Sequence, residues 1–373
     1  MIKIFGKETT DAIIESLKRP PGRYYLRVNT LKVSRGQLLS ILRQRGFNVY
    51  PDEVLLDSIY LIVKGPYDVP RAKKEVIADK FAAESVVIGA NLYGPGVLEA
   101  DKDINIGDEV VILNPLGDEV AFGIARMTGI EMNLRKKGLA VEVLVSRYKT
   151  PSLRELKEYK QGLFYEQSLP AILTSWVLRP YPDEVVVDMC AAPGGKTTHI
   201  AQLMENEGVI YAFENSPKRA KKLEENLSRL GIKNVKIMVH DSRYIHIDFP
   251  CIKADKVLLD PPCSALGVRP KLYEKKSLRD VIGVMKYQRQ FLKAASRVIK
   301  KGGYLVYSTC TITLEENEIN IKYAIENLGF KLEEQWIVVG SSGLVIDNAD
   351  MLQRFYPHLH DTPGYFIALL SKS

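Results

Sequence analysis

The spacing of hydrophobic and polar positions changes twice along this chain, and these changes divide it into three parts. In the first part, apolar residues recur at helical spacing over residues 11–17 and 37–45 and follow a strand-like pattern over residues 23–28. Such a mixture predicts a small α/β unit over residues 1–71.

The middle part, residues 72–149, consists of short apolar runs interrupted by glycines. Strand-like runs occupy residues 85–90, 109–113, 120–127 and 140–146. Strands this short and evenly spaced are typical of a small β-barrel.

The third part, residues 150–373, begins with helical patterns and then alternates strands with helices. Helices are predicted over residues 153–159, 165–178, 217–230 and 286–299. Strands are predicted over residues 185–189, 209–213, 235–239, 256–259, 304–308 and 365–370. This alternation predicts a mainly parallel sheet that is covered by helices on both faces.

Composition and charge narrow the class of protein only a little. Hydrophobic residues make up 46% and charged residues 26% of the chain, which is ordinary for a globular protein. No apolar run reaches the roughly 18 residues of a membrane span, and the N-terminus has no apolar signal core, so we expect a cytoplasmic protein. The net charge of +7 is compatible with a polyanionic partner but equally typical of a solvated surface. Without CxxC spacing, the four cysteines predict neither a metal site nor a disulfide framework.

Small and acidic residues directly follow the first three predicted strands of the third part, where an open α/β sheet binds its ligands. The small residues of 190–196 let the backbone approach a ligand closely before a helix predicted to begin at Thr197. Glu214 follows the second strand and is suited to accept ribose hydroxyls. His240 and Asp241 follow the third strand, where they are suited to an adenine edge.

Two thiols follow the next two strands and suggest covalent chemistry. Cys263 lies shortly after Asp260, and Cys310 lies just beyond residues 304–308. Neighbouring strand ends place such thiols close together. Carbon 5 of cytosine is a poor nucleophile, but adding a thiolate to carbon 6 makes carbon 5 enamine-like. The Asp260 carboxyl is suited to face the base at N3.

Two other nucleotide-binding motifs fit the turn less well. A dinucleotide-binding G-x-G-x-x-G is not present, and a P-loop would need glycine where this chain has Cys190. Gly195, Lys196 and Thr197 do fit a P-loop, but that mechanism has no use for Glu214 or for the thiols. A P-loop ATPase is therefore the weaker alternative.

Several motifs resemble known families. Residues 87–98 and 107–110 resemble a PUA domain, a small barrel found in many RNA-modifying enzymes. Residues 151–373 resemble the Nol/Nop/Sun family of RNA cytosine-5 methyltransferases, and the whole chain resembles its PUA-containing, tRNA-modifying subfamily. The motifs that carry this resemblance are Cys190-Ala191-Ala192-Pro193-Gly194-Gly195-Lys196, Asp260-Pro261-Pro262-Cys263-Ser264 and Ser308-Thr309-Cys310-Thr311.

The resemblance implies a fold, a cofactor and a set of binding residues. The implied fold is α/β: a Rossmann-like methyltransferase domain with a mainly parallel seven-stranded sheet over residues 150–373, preceded by an RRM-like unit and a PUA barrel. The implied cofactor is S-adenosylmethionine. The residues implied to bind it are Cys190, Ala191, Ala192, Pro193, Gly194, Gly195, Lys196, Glu214, Asp241 and Asp260.

The resemblance also implies which residues act on the RNA. Cys310 is the implied nucleophile, Cys263 assists release of the methylated RNA, and Asp260 and Lys196 complete the catalytic set. The implied substrate is tRNA at the acceptor end, with cytosine 72 as the expected position and a monomeric enzyme. A ribosomal RNA methyltransferase and a noncatalytic RNA-binding scaffold remain alternatives. Cys251 is expected to be structural.

Three basic segments have two possible interpretations, contact with RNA or a solvated surface. The first is the N-terminal set Arg23, Tyr24, Tyr25, Arg27, Lys32 and Arg35, and the second is the segment 269–276. For Lys218, Arg219, Lys221 and Lys222, on one predicted helix, a solvated face is the favoured interpretation.

Overall fold

Three β-sheets organise the chain in a computed structural model that describes residues 2–134 and 137–373. The first part contains α1 (Ile2–Phe5), α2 (Lys7–Leu17), β1 (Arg23–Val28), α3 (Arg35–Gln44), β2 (Val49–Pro51) and β3 (Ser58–Ile62). The second contains β4 (Lys74–Ala78), α4 (Lys80–Val86), β5 (Leu92–Tyr93), β6 (Val97–Ala100), β7 (Glu109–Leu113), β8 (Glu119–Ala125), α5 (Gly129–Leu134) and β9 (Leu139–Ser146). The third contains α6 (Lys157–Lys160), β10 (Phe164–Glu166), α7 (Leu169–Leu178), β11 (Val185–Asp188), α8 (Gly195–Leu203), β12 (Val209–Glu214), α9 (Pro217–Leu230), β13 (Val235–Val239), α10 (Ile245–Asp248), β14 (Ala254–Leu259), α11 (Leu278–Val298), β15 (Ile299–Thr309), α12 (Glu318–Leu328), β16 (Phe330–Glu333), β17 (Gln353–Phe355), α13 (Pro357–His360) and β18 (Tyr365–Lys372).

The largest sheet has the mainly parallel, Rossmann-like arrangement that the sequence predicts. Its strand order is β13-β12-β11-β14-β15-β18-β16, and the short β17 adds an eighth strand beside β18. The strands from β13 to β15 are parallel, and β18 is antiparallel to both of its neighbours in this path. The chain leaves β11 in one direction and later returns to β14 on its other side. This reversal opens a crevice at the carboxyl ends of β11 and β14.

Helix α11 shows how the core of this sheet is built. Its N-terminus is fixed by a capping box, in which Ser277 and Asp280 bond each other's backbone N–H groups. One face of the helix then buries Phe291, Leu292 and Val298 against the sheet. The helix therefore holds the β14 and β15 end of the sheet in place.

The second sheet has the strand order β5-β9-β8-β7-β4-β6 and forms the expected barrel. The strand predicted over residues 85–90 is wrong, because these residues form the end of α4 and the turn that follows. The Asp79 side chain caps α4 by accepting from the N–H of Ala82. Val86 and Val87 are then buried in the barrel core. Tertiary packing here overrides the strand preference of valine.

The first sheet has the order β10-β1-β3-β2, and its edge strand β10 comes from beyond the barrel. The helix predicted over residues 165–178 is therefore wrong at its start. Phe164–Glu166 is extended because it pairs antiparallel with β1, and α7 begins only at Leu169. Pro170 is in the first turn of α7, where its missing N–H costs nothing.

Arg27 on β1 connects the first sheet to the large sheet. Its side chain is only 1% exposed and donates to Gln167 Oε1 at 2.7 Å, to Thr198 Oγ1 at 2.8 Å and to the carbonyl of Gly195. Burial lowers the pKa of Arg27 to about 10. Neither alternative considered for this residue is correct, since it is neither solvated nor placed to contact RNA. Tyr25 is likewise 7% exposed.

Asp57, between β2 and β3, makes a second connection, to helices α7 and α8. Its carboxylate contacts His199 Nε2 at 2.7 Å and accepts from Trp176 Nε1 at 2.9 Å and Gln202 Nε2 at 3.2 Å. Burial opposes the charge on Asp57, but His199 and Trp176 lower its pKa. Helix α8, which carries the predicted cofactor turn at its start, is thus held from two sides.

We predict that Arg27→Met destabilises the protein, because it leaves the buried Gln167 Oε1 without a donor and removes one of the donors to the Gly195 carbonyl. The expected loss is about 1–3 kcal/mol for each buried group left unsatisfied. Guanidinium unfolding followed by tryptophan fluorescence measures it, with the exposed Arg71→Met as the control. Equal midpoints for the two variants would contradict this prediction.

Candidate active site

The two predicted thiols meet at the crevice of the large sheet. Cys263 lies in the loop after β14, and Cys310 directly follows β15. Because these strands are adjacent and parallel, the two Sγ atoms lie only 3.2 Å apart. Both residues are half-buried and, like Cys190 and Cys251, are free thiols.

Their contact makes the two thiols unequal. The hydrogen bond from Cys263 lowers the pKa of Cys310, although burial opposes this. The same bond, together with burial, raises the pKa of Cys263 well above its ordinary value. Cys310 is therefore the thiol that loses its proton first, and Cys263 retains its proton as the donor.

Asp260 and Lys196 form an ion pair beside the thiols. Asp260 follows β14, and its Oδ2 accepts from Lys196 Nζ at 2.6 Å while its Oδ1 accepts from Ser308 Oγ at 2.9 Å. Burial opposes a charge on Lys196, but the attraction of Asp260 and of Tyr365 raises the pKa of Lys196 well above its ordinary value. The site thus holds a fixed carboxylate with a permanently charged ammonium.

Tyr365 and Ser308 belong to this site, although the sequence did not single them out as site residues. The Tyr365 hydroxyl donates to Ser308 Oγ at 3.3 Å, and the Lys196 ammonium lies 5.6 Å from the centre of the Tyr365 ring. Burial raises the pKa of Tyr365 to about 12. The antiparallel strand β18 begins, rather than ends, at the catalytic edge. In an antiparallel strand of this sheet the first residue, here Tyr365, lies at the catalytic edge, and this position could have identified it as a site residue.

The turn after β11 is shaped by Asp188 and Gly194. Asp188 accepts from the N–H of Cys190 at 3.2 Å and from Thr197 Oγ1 at 2.7 Å, and burial raises its pKa to about 6. Gly194 has a φ of +108°, and a Cβ there would meet Leu223 at 2.7 Å. Only glycine fits this position without strain.

Two cavities adjoin the turn and collect the residues predicted for the cofactor except Gly194, which packs against Leu223 instead. A cavity of about 270 Å³ is lined by Cys190, Ala192, Glu214, Asp241, Asp260, Cys263 and Cys310, among others. A smaller one of about 120 Å³ is lined by Cys190, Ala191, Ala192, Pro193, Gly195, Lys196 and Asp260, among others. The three carboxylates of the larger cavity suit ribose hydroxyls, an amino group and a sulfonium better than a chain of phosphates. The residues present therefore fit S-adenosylmethionine.

Arg219 is half-exposed, as the favoured solvated interpretation predicts, and it also makes two contacts at the site. Its guanidinium lies 3.3 Å from Glu214 Oε2 and donates to the Ala192 carbonyl at 2.6 Å, so it joins the turn to the end of β12. Asp241 is held in a similar way, by Arg243 Nε at 3.0 Å. Further residues that line the larger cavity and were not predicted include Phe213, Asn215, Ser242, Tyr287 and Phe291.

Several cations of the basic segment 269–276 are held in ion pairs. Glu274 lies within 3.8 Å of the ammonium groups of Lys80, Lys271 and Lys276, and the side chain of Arg269 is only 4% exposed. Residues 274–276 are exposed, as in a solvated loop, whereas the Arg269 and Lys271 side chains are buried. Cys251 is exposed and lies apart from the thiol pair.

Comparison with known proteins identifies this arrangement. Residues 175–371 match the model of the family described as 16S rRNA methyltransferase RsmB/F. The chain belongs to the RsmB/F, or Nol/Nop/Sun, family of RNA cytosine-5 methyltransferases. Residues 74–145 match the PUA domain, and residues 1–69 match the ferredoxin-like domain of RsmF/B-like methyltransferases. The expected family, enzyme class and cofactor, S-adenosylmethionine, are confirmed.

Three similar proteins cover the chain to different extents. The tRNA (cytosine(72)-C(5))-methyltransferase of Pyrococcus horikoshii is 50% identical over 99% of this chain and 94% of its own. The human 28S rRNA (cytosine(4447)-C(5))-methyltransferase is 37% identical over 58% of this chain and 28% of its own. The crystal structure of NSun6 from Pyrococcus horikoshii with SFG, an S-adenosylmethionine analogue, matches with a TM-score of 0.92 and 50% identity over 100% of this chain and 96% of that one. Among the described residues, no helix is both long and apolar enough to cross a membrane.

We predict that Cys263→Ala shifts the alkylation of Cys310 to higher pH. The wild-type rate should rise with pH through an inflection below that of an ordinary thiol, because the pKa of Cys310 is lowered. Without the Cys263 donor the Cys310 thiolate is less stable, so the inflection moves up. Iodoacetamide labelling of the Cys310 peptide, followed by mass spectrometry, measures both profiles.

Cys263→Ser is the matched control, because its hydroxyl retains a donor and the inflection should stay nearer to the wild-type value. If the alanine and wild-type profiles coincide, Cys263 is not the group that stabilises the thiolate.

Proposed function

We propose that this protein methylates carbon 5 of cytosine 72 at the acceptor end of tRNA. The thiol pair at 3.2 Å, beside a carboxylate and a cofactor crevice, is the observation that carries the chemistry. The choice of tRNA is supported by the similarity to the Pyrococcus horikoshii enzyme over 99% of the chain.

The cofactor is assigned to the residues around the two cavities. The turn Cys190-Ala191-Ala192-Pro193-Gly194-Gly195-Lys196 would hold it through close backbone approach, Glu214 through the ribose hydroxyls, and Asp241 and Asp260 through their carboxylates. When bound, S-adenosylmethionine supplies an electrophilic methyl group.

Cys310 is the proposed nucleophile, because it is the cysteine of the Thr-Cys motif of this family, and contact with Cys263 also lowers its pKa. Its thiolate sulfur bonds to carbon 6 of the cytosine, and the electron pair of the ring double bond makes carbon 5 nucleophilic. After methylation, the proton of carbon 5 passes to a water molecule, the electron pair of that C–H bond restores the ring double bond, and the bond between carbon 6 and sulfur breaks to release the Cys310 thiolate. Cys263, protonated and 3.2 Å away, is placed to assist this release.

Asp260 and Lys196 are proposed to act on the base itself. Negative charge builds on the ring as the thiolate adds, and a carboxyl group facing N3 can hold or donate a proton there. Lys196 at 2.6 Å and Ser308 at 2.9 Å hold both oxygens of Asp260 in a defined orientation. Such orientation is what general acid catalysis requires, since a small misplacement costs rate.

Ribosomal RNA is the alternative substrate, since the family model is named for it and the human 28S rRNA enzyme shares the catalytic similarity. That similarity covers only 58% of the chain, whereas the tRNA enzyme matches 99% of it. A noncatalytic scaffold is less consistent with the retention of both thiols and the Asp260 pair. The monomeric state, the cytoplasmic location and the domain limits 1–71, 72–149 and 150–373 also remain proposals.

We predict that the purified protein transfers labelled methyl groups from S-adenosylmethionine to cytosine 72 of tRNA. Digestion of the product followed by mass spectrometry locates the modified nucleotide. A tRNA with uridine at position 72 is the matched control and should remain unlabelled. Label at another cytosine, or in ribosomal RNA fragments alone, would replace the tRNA proposal with its alternative.

We also predict opposite effects for the two thiol variants. Cys310→Ala should abolish turnover and form no adduct, because carbon 6 has no nucleophile. Cys263→Ala should allow attack but slow release, so that a protein–RNA adduct accumulates on a denaturing gel. An adduct that appears with Cys310→Ala instead would reverse the two roles.

A further inference from the structure

Three consecutive polar residues, Glu316, Asn317 and Glu318, lie fully buried at the start of α12. Burial of polar and charged side chains is costly unless their hydrogen bonds are satisfied. The partners of the first two residues are segments on either side of the two thiols, which gives these residues a function beyond packing.

Glu316 holds the loop that carries Cys263. One carboxylate oxygen accepts from the N–H of Ser264 at 2.8 Å, and the other accepts from the Ser264 hydroxyl. Gln288 donates to the same carboxylate and to the Pro262 carbonyl, both at 3.0 Å. The residues directly before and after Cys263 are therefore both tied to Glu316, one of them through Gln288.

Asn317 holds the segment that carries Cys310 in the same way. Its Oδ1 accepts from Thr309 Oγ1 at 2.5 Å, and its Nδ2 donates to the Thr311 carbonyl at 3.1 Å. These are the residues directly before and after Cys310. The two neighbours of Cys263 are thus held by Glu316, directly or through Gln288, and the two neighbours of Cys310 are held by Asn317.

The hydrogen bonds of Glu316 and those of Asn317 are connected to each other, and an ion pair fixes the start of α12. Ser264 Oγ lies 2.8 Å from Thr311 Oγ1, which connects the two thiol segments directly. Glu318 forms a buried ion pair with Arg354 at 2.7 Å, and Arg354 also donates to the Ile312 carbonyl at 3.1 Å. The start of α12 is therefore fixed relative to both segments.

We propose that Glu316 and Asn317 are positioning residues with separate tasks, Glu316 for Cys263 and Asn317 for Cys310. This inference rests on the thiol roles proposed above. Loosening Glu316 displaces Cys263 and slows release of the methylated RNA, whereas loosening Asn317 displaces Cys310 and slows the attack on carbon 6.

The test compares adduct levels and steady-state kinetics in Glu316→Ala and Asn317→Ala, with tRNA and S-adenosylmethionine as substrates. Glu316→Ala should lower kcat by about 100-fold with little change in KM, and adduct should accumulate as in Cys263→Ala. Asn317→Ala should lower kcat without accumulation, and should also remove the adduct when it is added to Cys263→Ala.

Two further variants separate position from charge and folding. Glu315→Ala is the matched control, because it removes the same charge from the neighbouring residue, which makes none of these hydrogen bonds, and it should behave as wild type. Glu316→Gln should recover most of the activity. Its amide oxygen can still accept from the Ser264 N–H, and the Ser264 and Thr313 hydroxyls can rotate to accept from the amide nitrogen.

Retained binding of S-adenosylmethionine verifies that each variant is folded. If Glu316→Ala does not fold, Glu316→Asp, which withdraws the carboxylate from Ser264, should show the same accumulation. Equal loss of turnover in the Glu316 and Asn317 variants, with no difference in adduct, would overturn the proposal. A failure of the thiol roles is recognised separately, because Cys263→Ala alone would then form no adduct.

Discussion

The pairing of β14 with β15 is the constraint on which the catalytic arrangement depends. These strands run parallel and in register, with Leu259 opposite Tyr307, so the residues that follow them leave the sheet side by side. Asp260 and Ser308 come next and are hydrogen-bonded to each other, and the two thiols lie a few residues further on. Since the backbone ladder sets this spacing, the thiols meet just beyond the ends of the two strands.

Electrostatics then gives the paired groups different tasks. Two similar thiols in contact cannot both ionise easily, and the hydrogen bond between them assigns the charge to Cys310. Lys196 stabilises that charge as well as the Asp260 carboxylate, while Asp260 opposes a second negative charge nearby. The charges and hydrogen bond around the thiols therefore favour ionisation of Cys310 over ionisation of Cys263.

The N-terminal sheet contributes to the site through its contacts with helix α8. Arg27 and Asp57 reach the first turns of α8 and hold the helix whose N-terminus carries the cofactor turn. A charged side chain buried between two units is worth little as a source of stability, but it fixes the relative position of the groups that it bonds. The ferredoxin-like N-terminal unit thus supports the crevice of the large sheet.

By itself, the sequence determined the alternation of strands and helices, the barrel and the strand-end motifs around Cys190, Asp260, Cys263 and Cys310. These depend on local periodicity and on the general rule that ligands bind at the carboxyl ends of parallel strands. The tertiary structure alone decided which distant segments became neighbours. Phe164–Glu166 became a strand only because β1 offered a partner, and residues 85–90 became helix and turn inside the barrel core.

The same limit applies to the site. Tyr365 could be identified as a site residue only once the direction of β18 was known, and Arg219 only once the packing of α9 was known. Glu316 carries no local pattern that marks it as a partner of the Cys263 loop, because its hydrogen bond to Ser264 joins residues 52 positions apart and leaves no periodic trace in the chain. Asn317 lies only six and eight positions from Thr311 and Thr309, but side-chain contacts within one turn leave no periodic trace either.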